Sequence, residues 1–131
     1  MTISYKDSLR NTRMSDLLTA IGSSAKIKIY DATGGVPATV NTALGSQVLL
    51  VDLPCSATFG VVSGADLTAN AITPTLPTAG GTAAFYRICT SGGTAIVQGT
   101  CGVGSGDLQM GSLTITMGVS VEISSMVITH A

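Results

Sequence analysis

Residues 82–101 read TAAFYRICTSGGTAIVQGTC, and this stretch decides the fold class. Two runs rich in aromatic and β-branched residues flank Ser91-Gly92-Gly93, the composition of a tight connection between antiparallel strands. Pairing about that turn puts Tyr86, Ile88 and Val97 on one face, as a core patch would be. Upstream, Lys26-Ile-Lys-Ile-Tyr30 alternates with a period of two, the pattern of a half-exposed strand. Gln47–Leu53 is more continuously apolar and ends at Pro54, which reads as a central strand covered on both faces. Phe59–Val62 and Leu67–Ile72 follow as short strands. Asp31–Pro37 and Thr73–Gly81 carry the breakers of loops.

Downstream, Gly102–Gly111 reads as a glycine-rich loop and Leu113–Met117 as a strand. Gly118 turns the chain into a last strand, Val119–Thr129, whose alternation shifts at Ser124-Ser125 as at a bulge. The sum is seven to nine short strands with breakers about every ten residues. That predicts a mainly β domain, a two-sheet antiparallel sandwich or jelly roll. No repeat of 20–50 residues is present, so a solenoid or propeller is excluded. At 131 residues the chain is a single domain, able to bury roughly two-thirds of its unfolded surface.

The N-terminal segment differs. Residues 4–22 predict one helix, an arm on the β body, with Ser4 as its cap and Asp7 completing a capping box. Met14, Leu17, Leu18 and Ile21 recur at helical spacing and form a docking stripe, with Tyr5 and Leu9 placed for a second contact. Gly22 stops the helix. Lys6, Arg10 and Arg13 lie toward the other face. Five bases and three acids fall within residues 1–31, against one base and four acids in the rest. A mildly basic arm therefore sits on a mildly acidic body.

The charged fraction is 10%, against roughly 25% in ordinary soluble domains. Eighteen Thr and fourteen Ser replace charge, so the exterior is polar but weakly repulsive. A net charge of −1 sets little electrostatic penalty against the approach of copies. No apolar leader follows Met1 and the Val48–Val51 run is far too short to span a bilayer, so no membrane partner is expected. Cys55, Cys89 and Cys101 are too widely spaced for a zinc site and read as buried free thiols.

Enzyme chemistry is not expected. The single His, His130, stands beside the C-terminus, and no acids cluster in sequence. Gly102-Val-Gly-Ser-Gly106 lacks the Lys-Ser/Thr and the helix of a phosphate-binding loop. No calcium loop is present, and the basic residues are too few and too mixed with acids for a nucleic-acid surface. The reading assigns no catalytic residue, metal site, cofactor or nucleic-acid partner.

Several stretches together carry a resemblance: Tyr5-Lys-Asp-Ser-Leu-Arg-Asn-Thr-Arg-Met14, Lys28-Ile-Tyr-Asp31, Leu67-Thr-Ala-Asn-Ala-Ile72, Ala84-Phe-Tyr-Arg87, Gly106-Asp-Leu-Gln109 and Ile128-Thr-His-Ala131. They run nearly end to end, and the chain resembles small virion proteins of tailed bacteriophages and prophages. Among these it is most similar in kind to capsid cement or decoration proteins. The resemblance implies a structural protein on the capsid exterior of the virion, assembled in the bacterial cytoplasm. It implies a dimer or trimer that binds major capsid subunits or other virion proteins. Lys6, Arg10 and Arg13 become candidate assembly contacts to acidic patches on the shell. A tail, baseplate or fibre component and a carbohydrate-binding module for host attachment are the alternative readings.

Overall fold

A computed structural model describes residues 4–64, 66–103 and 108–129. The fold is mainly β with one helix and antiparallel sheets, as the alternation predicts. In chain order the elements are α1 (Asp7–Ile21), β1 (Lys26–Tyr30), β2 (Leu49–Pro54), β3 (Gly60–Ser63), β4 (Asp66–Ala69) and β5 (Gly81–Thr82). They continue with β6 (Phe85–Cys89), β7 (Ala95–Gly102), β8 (Leu108–Met110), β9 (Thr114–Ile115) and β10 (Ile123–Thr129). Ten strands among the described residues exceed the seven to nine expected. Eight form one sheet in the order β2-β1-β6-β7-β8-β10-β4-β3, and β5 pairs with β9. All neighbours are antiparallel except β7 and β8.

Register explains the core. Leu53, Ile27, Ile88 and Val97 lie in one cross-strand row, and Val51, Ile29, Tyr86 and Gly99 in the next. Tyr86, Ile88 and Val97 thus share a face as the hairpin reading requires. Gly93, with φ of 94°, takes the left-handed position of that turn, where a side chain would be strained. On the other half of the sheet Ile128, Leu67 and Val62 form an inner row. The two inner faces bury one continuous cluster that includes Ile27, Ile88, Leu67, Leu108 and Met126. The architecture is therefore sandwich-like, with both layers drawn from one curled sheet.

The curl is closed by the chain itself. β2 and β3 stand at opposite ends of the strand order, yet they are joined by residues 55–59 alone. Along that link Cys55 donates its amide to Ala25 O at 3.0 Å, and Ser24 donates to Ala57 O at 3.2 Å. Asn70 in turn donates to Phe59 O at 2.8 Å. One bent strand thereby pairs with the first layer through its first half and with the second layer through its second. This reduces the length of exposed sheet edge, the commonest aggregation hazard of β proteins.

Four local readings are corrected. The helix begins at Asp7, not Ser4: Lys6 is the N-cap, in extended conformation and without a side-chain cap bond. The Lys6 carbonyl takes the first bonds, from the Leu9 and Arg10 amides. Second, the Gln47–Leu53 run is an edge strand that starts at Leu49. Its outer side is covered by the Thr78 and Ala79 amides, which bond to Leu50 O, and by Gly81, against which the Leu50 side chain packs. Third, residues 108–110 of the supposed glycine loop form β8, held between β7 and β10. Residues 104–107 lie outside the described residues. Fourth, the Leu113–Met117 strand contracts to two residues, and the last strand starts at Ile123, leaving Val119 exposed. The β10 register does shift between Ile123 and Ser125, at the expected bulge.

Candidate functional site

The docking stripe is seated in the core. Met14 and Ile21 are buried, and Leu17 and Leu18 pack against the same cluster half-exposed. The helix lies against β3 and β4. Tyr5 and Leu9, expected to make a second contact, are instead 38% and 42% exposed.

The three basic candidates divide. Lys6 and Arg13 are exposed, whereas Arg10 is half-buried and ion-paired with Asp7 one turn earlier. Arg13 stacks over the Tyr5 ring at 4.7 Å from its centroid, a cation–π contact that gives the basic side chain an aromatic base. Among the described residues, the exposed bases are Lys6 and Arg13, and both stand beside Tyr5 and Leu9. The result is a patch that is at once apolar and cationic, bordered by the exposed Asp7 carboxylate that Arg10 pairs. His130 and Asp107 lie outside the described residues.

β8, β9 and residues 116–122 enclose an open cleft of about 320 Å3. Met110, Ile115 and Val121 are buried in its lining, Val119 is 59% exposed, and Glu122 is the one ionisable residue among the described lining residues. Its walls are otherwise Ser and Thr. An apolar lining with one negative charge suits an apolar group carrying a cation.

A second feature escaped sequence reasoning. Asp52, Lys28, Arg87 and Gln98 form a polar row across β2, β1, β6 and β7, on the face opposite the core. Residues 32–47 fold over that row as a compact loop whose ends meet: Asp31 N donates to Val48 O at 3.1 Å, and Val48 N donates to Asp31 Oδ1 at 2.9 Å. Arg87, 6% exposed, donates from Nη2 to Thr42 O at 2.7 Å and Thr39 O at 3.4 Å. Gln98 Nε2 donates to Pro37 O at 2.8 Å. Within the loop, Gln47 accepts from Gly45 N and donates to Gly35 O. From Ala32 to Val51 the chain has no charged residue, and Val36, Leu44 and Val48 project from it. Loops of this closed form are frequent binding elements.

The thiols are free, and burial pushes all three up: Cys55 to about 11, Cys101 to about 12, and Cys89 in the same direction. Among the described residues, no helix is long and apolar enough to cross a membrane. No family model, curated protein or solved structure matches this chain.

Proposed function

We propose that this chain is a structural protein of a tailed-phage particle, a cement or decoration protein that stabilises the head by binding major capsid subunits. One observation carries the reading. Large apolar side chains, among them Leu9, Val36, Val61, Leu76 and Val119, stand exposed on a chain in which only 10% of the residues are charged. Exposed apolar groups on a weakly charged surface favour occlusion by other protein. Like-charge repulsion opposes that occlusion very little. The end-to-end sequence resemblance supplies the virion setting.

A sugar-binding role is less well supported. Tyr30 and Tyr86 are buried, and the third tyrosine, Tyr5, has Arg13 over its ring. Stacking against a sugar would need an open aromatic face.

The test is stoichiometry. Particles induced from a strain encoding this chain, purified and quantified by mass spectrometry, are expected to contain it in proportion to the major capsid protein. A ratio of a few copies per particle would move it to the tail, and its absence from particles would end the virion reading.

A further inference from the structure

We propose that the cleft around Glu122 receives the Tyr5–Leu9 patch of a second copy of this chain, with Glu122 facing Lys6 and Arg13. The inference rests on the assembly reading above and names the self-contact within it.

The two surfaces are chemical complements. The cleft offers buried Met110, Ile115 and Val121 in its lining, an exposed Val119, and one carboxylate. Its volume of about 320 Å3 lies in the range of concave binding sites, ~300–1,000 Å3. An occupant should therefore be an apolar knob with a cation at its side. The other exposed large apolar residues, Val61, Leu76 and Met117 as much as Val36, Leu44 and Val48, do not qualify: no Lys or Arg falls within five residues of any of them in the sequence. Tyr5 and Leu9, with Lys6 and Arg13 beside them, are the match among the described residues.

The occupant comes from another molecule. Buried Met14 and Ile21 fix α1 against β3 and β4 of its own chain, while the cleft is built on β8 and β9. A contact that joins one patch to a different patch is heterologous, and it closes into a ring or a reciprocal pair only if the rotation between copies allows. A closed arrangement would give the small oligomer expected of a cement protein, and neither of the two surfaces includes residues 32–47.

Light scattering on the purified full chain tests it with four proteins: wild type, Glu122→Lys, Lys6→Glu/Arg13→Glu, and all three changes combined. Wild type is expected to be oligomeric. Each partial set should weaken association roughly 10- to 100-fold, the scale of like charges brought together at an interface. The combined variant should recover it, and thermal melts control for folding. A monomer at every concentration overturns the inference, as does an oligomer indifferent to Glu122→Lys; only the second leaves self-assembly standing. If Glu122→Lys keeps the oligomer but loses binding to purified empty shells, the cleft belongs to the shell protein and the inference is likewise overturned.

Discussion

Arg87 on β6 and Gln98 on β7 face each other across the strand pair, and Arg87 Nε donates to Gln98 Oε1 at 2.9 Å. Together they hold the 32–47 loop from beneath through the carbonyls of Pro37, Thr39 and Thr42. The Arg87→Met variant keeps the stem and removes the donors to Thr39 O and Thr42 O, leaving only the Gln98 bond to Pro37 O. Charged hydrogen bonds of this kind contribute about 1.5–3 kcal/mol, so a loss of ~2–3 kcal/mol is expected. Hydrogen exchange should quicken across residues 35–47 while β6 and β7 stay protected. Unchanged loop protection would show that Arg87 does not hold it.

Gly99 sits under the Tyr86 ring. A Cβ there would lie 2.5 Å from the Tyr86 oxygen and 2.7 Å from Cζ, and Tyr86 is only 1% exposed. Gly99→Ala must push the ring out of its place in the core, and overpacking of this kind costs roughly 1–3 kcal/mol. Urea unfolding measures it. The double variant Gly99→Ala/Tyr86→Leu should show a smaller added cost for the alanine, because the clash is gone.

These two sites mark the limit of what the sequence discloses. Ile27, Ile29 and the 82–101 hairpin were legible because a strand's period and a Gly-Gly turn are local signals. The bulge in β10 was legible for the same reason: alternation shifts near Ser124 within the segment itself. The Arg87 clamp was not, since its carbonyl partners lie 45 and 48 residues away along the chain and backbone carbonyls carry no sequence signature. The edge position of β2 was hidden too. An apolar run reports burial, and the cover over Leu50 comes from residues 78–81 rather than a neighbouring strand. The basic patch was visible as composition, but its pairing with exposed Tyr5 and Leu9 depended on where the helix turned.

Ile21 decides whether α1 is a detachable arm or part of the body. It is fully buried in the main cluster. Ile21→Ala should cost about 2–5 kcal/mol, as deleting a core side chain does, and should lower the unfolding midpoint of helix and sheet together. Two separate transitions in circular dichroism, the helix melting first, would make α1 an independent arm.

Asp31 closes the loop at its base, and its carboxyl is held below the ordinary value of 3.8, first by the Val48 amide and then by Thr33. The sign follows from linkage. A carboxyl with a lowered native pKa stabilises the fold fully above its unfolded value, and that stability is lost as pH falls through the native value. Wild type should therefore lose more stability than Asp31→Asn between pH 5 and pH 3. Parallel urea midpoints for the two proteins across that interval would contradict the assignment.

The thiols titrate at the other end of the scale. Burial raises Cys55 from 9.0 to about 11 and Cys101 from 9.0 to about 12, so both stay protonated in the folded protein where an unfolded chain begins to ionise. The unfolded state therefore releases protons first as pH climbs past 9. Stability is whole below that point and declines as pH rises through 11 toward 12. Thiolate is also the reactive form. Two pH units on Cys55 remove about 99% of the thiolate present at a given alkaline pH, so native alkylation at pH 8 should run ~100-fold slower than in urea. Mass spectrometry of iodoacetamide-treated protein reads each site separately. Fast native labelling of Cys55 would mean that the 55–59 link between β2 and β3 opens readily, and the curled sheet would then be closed only part of the time.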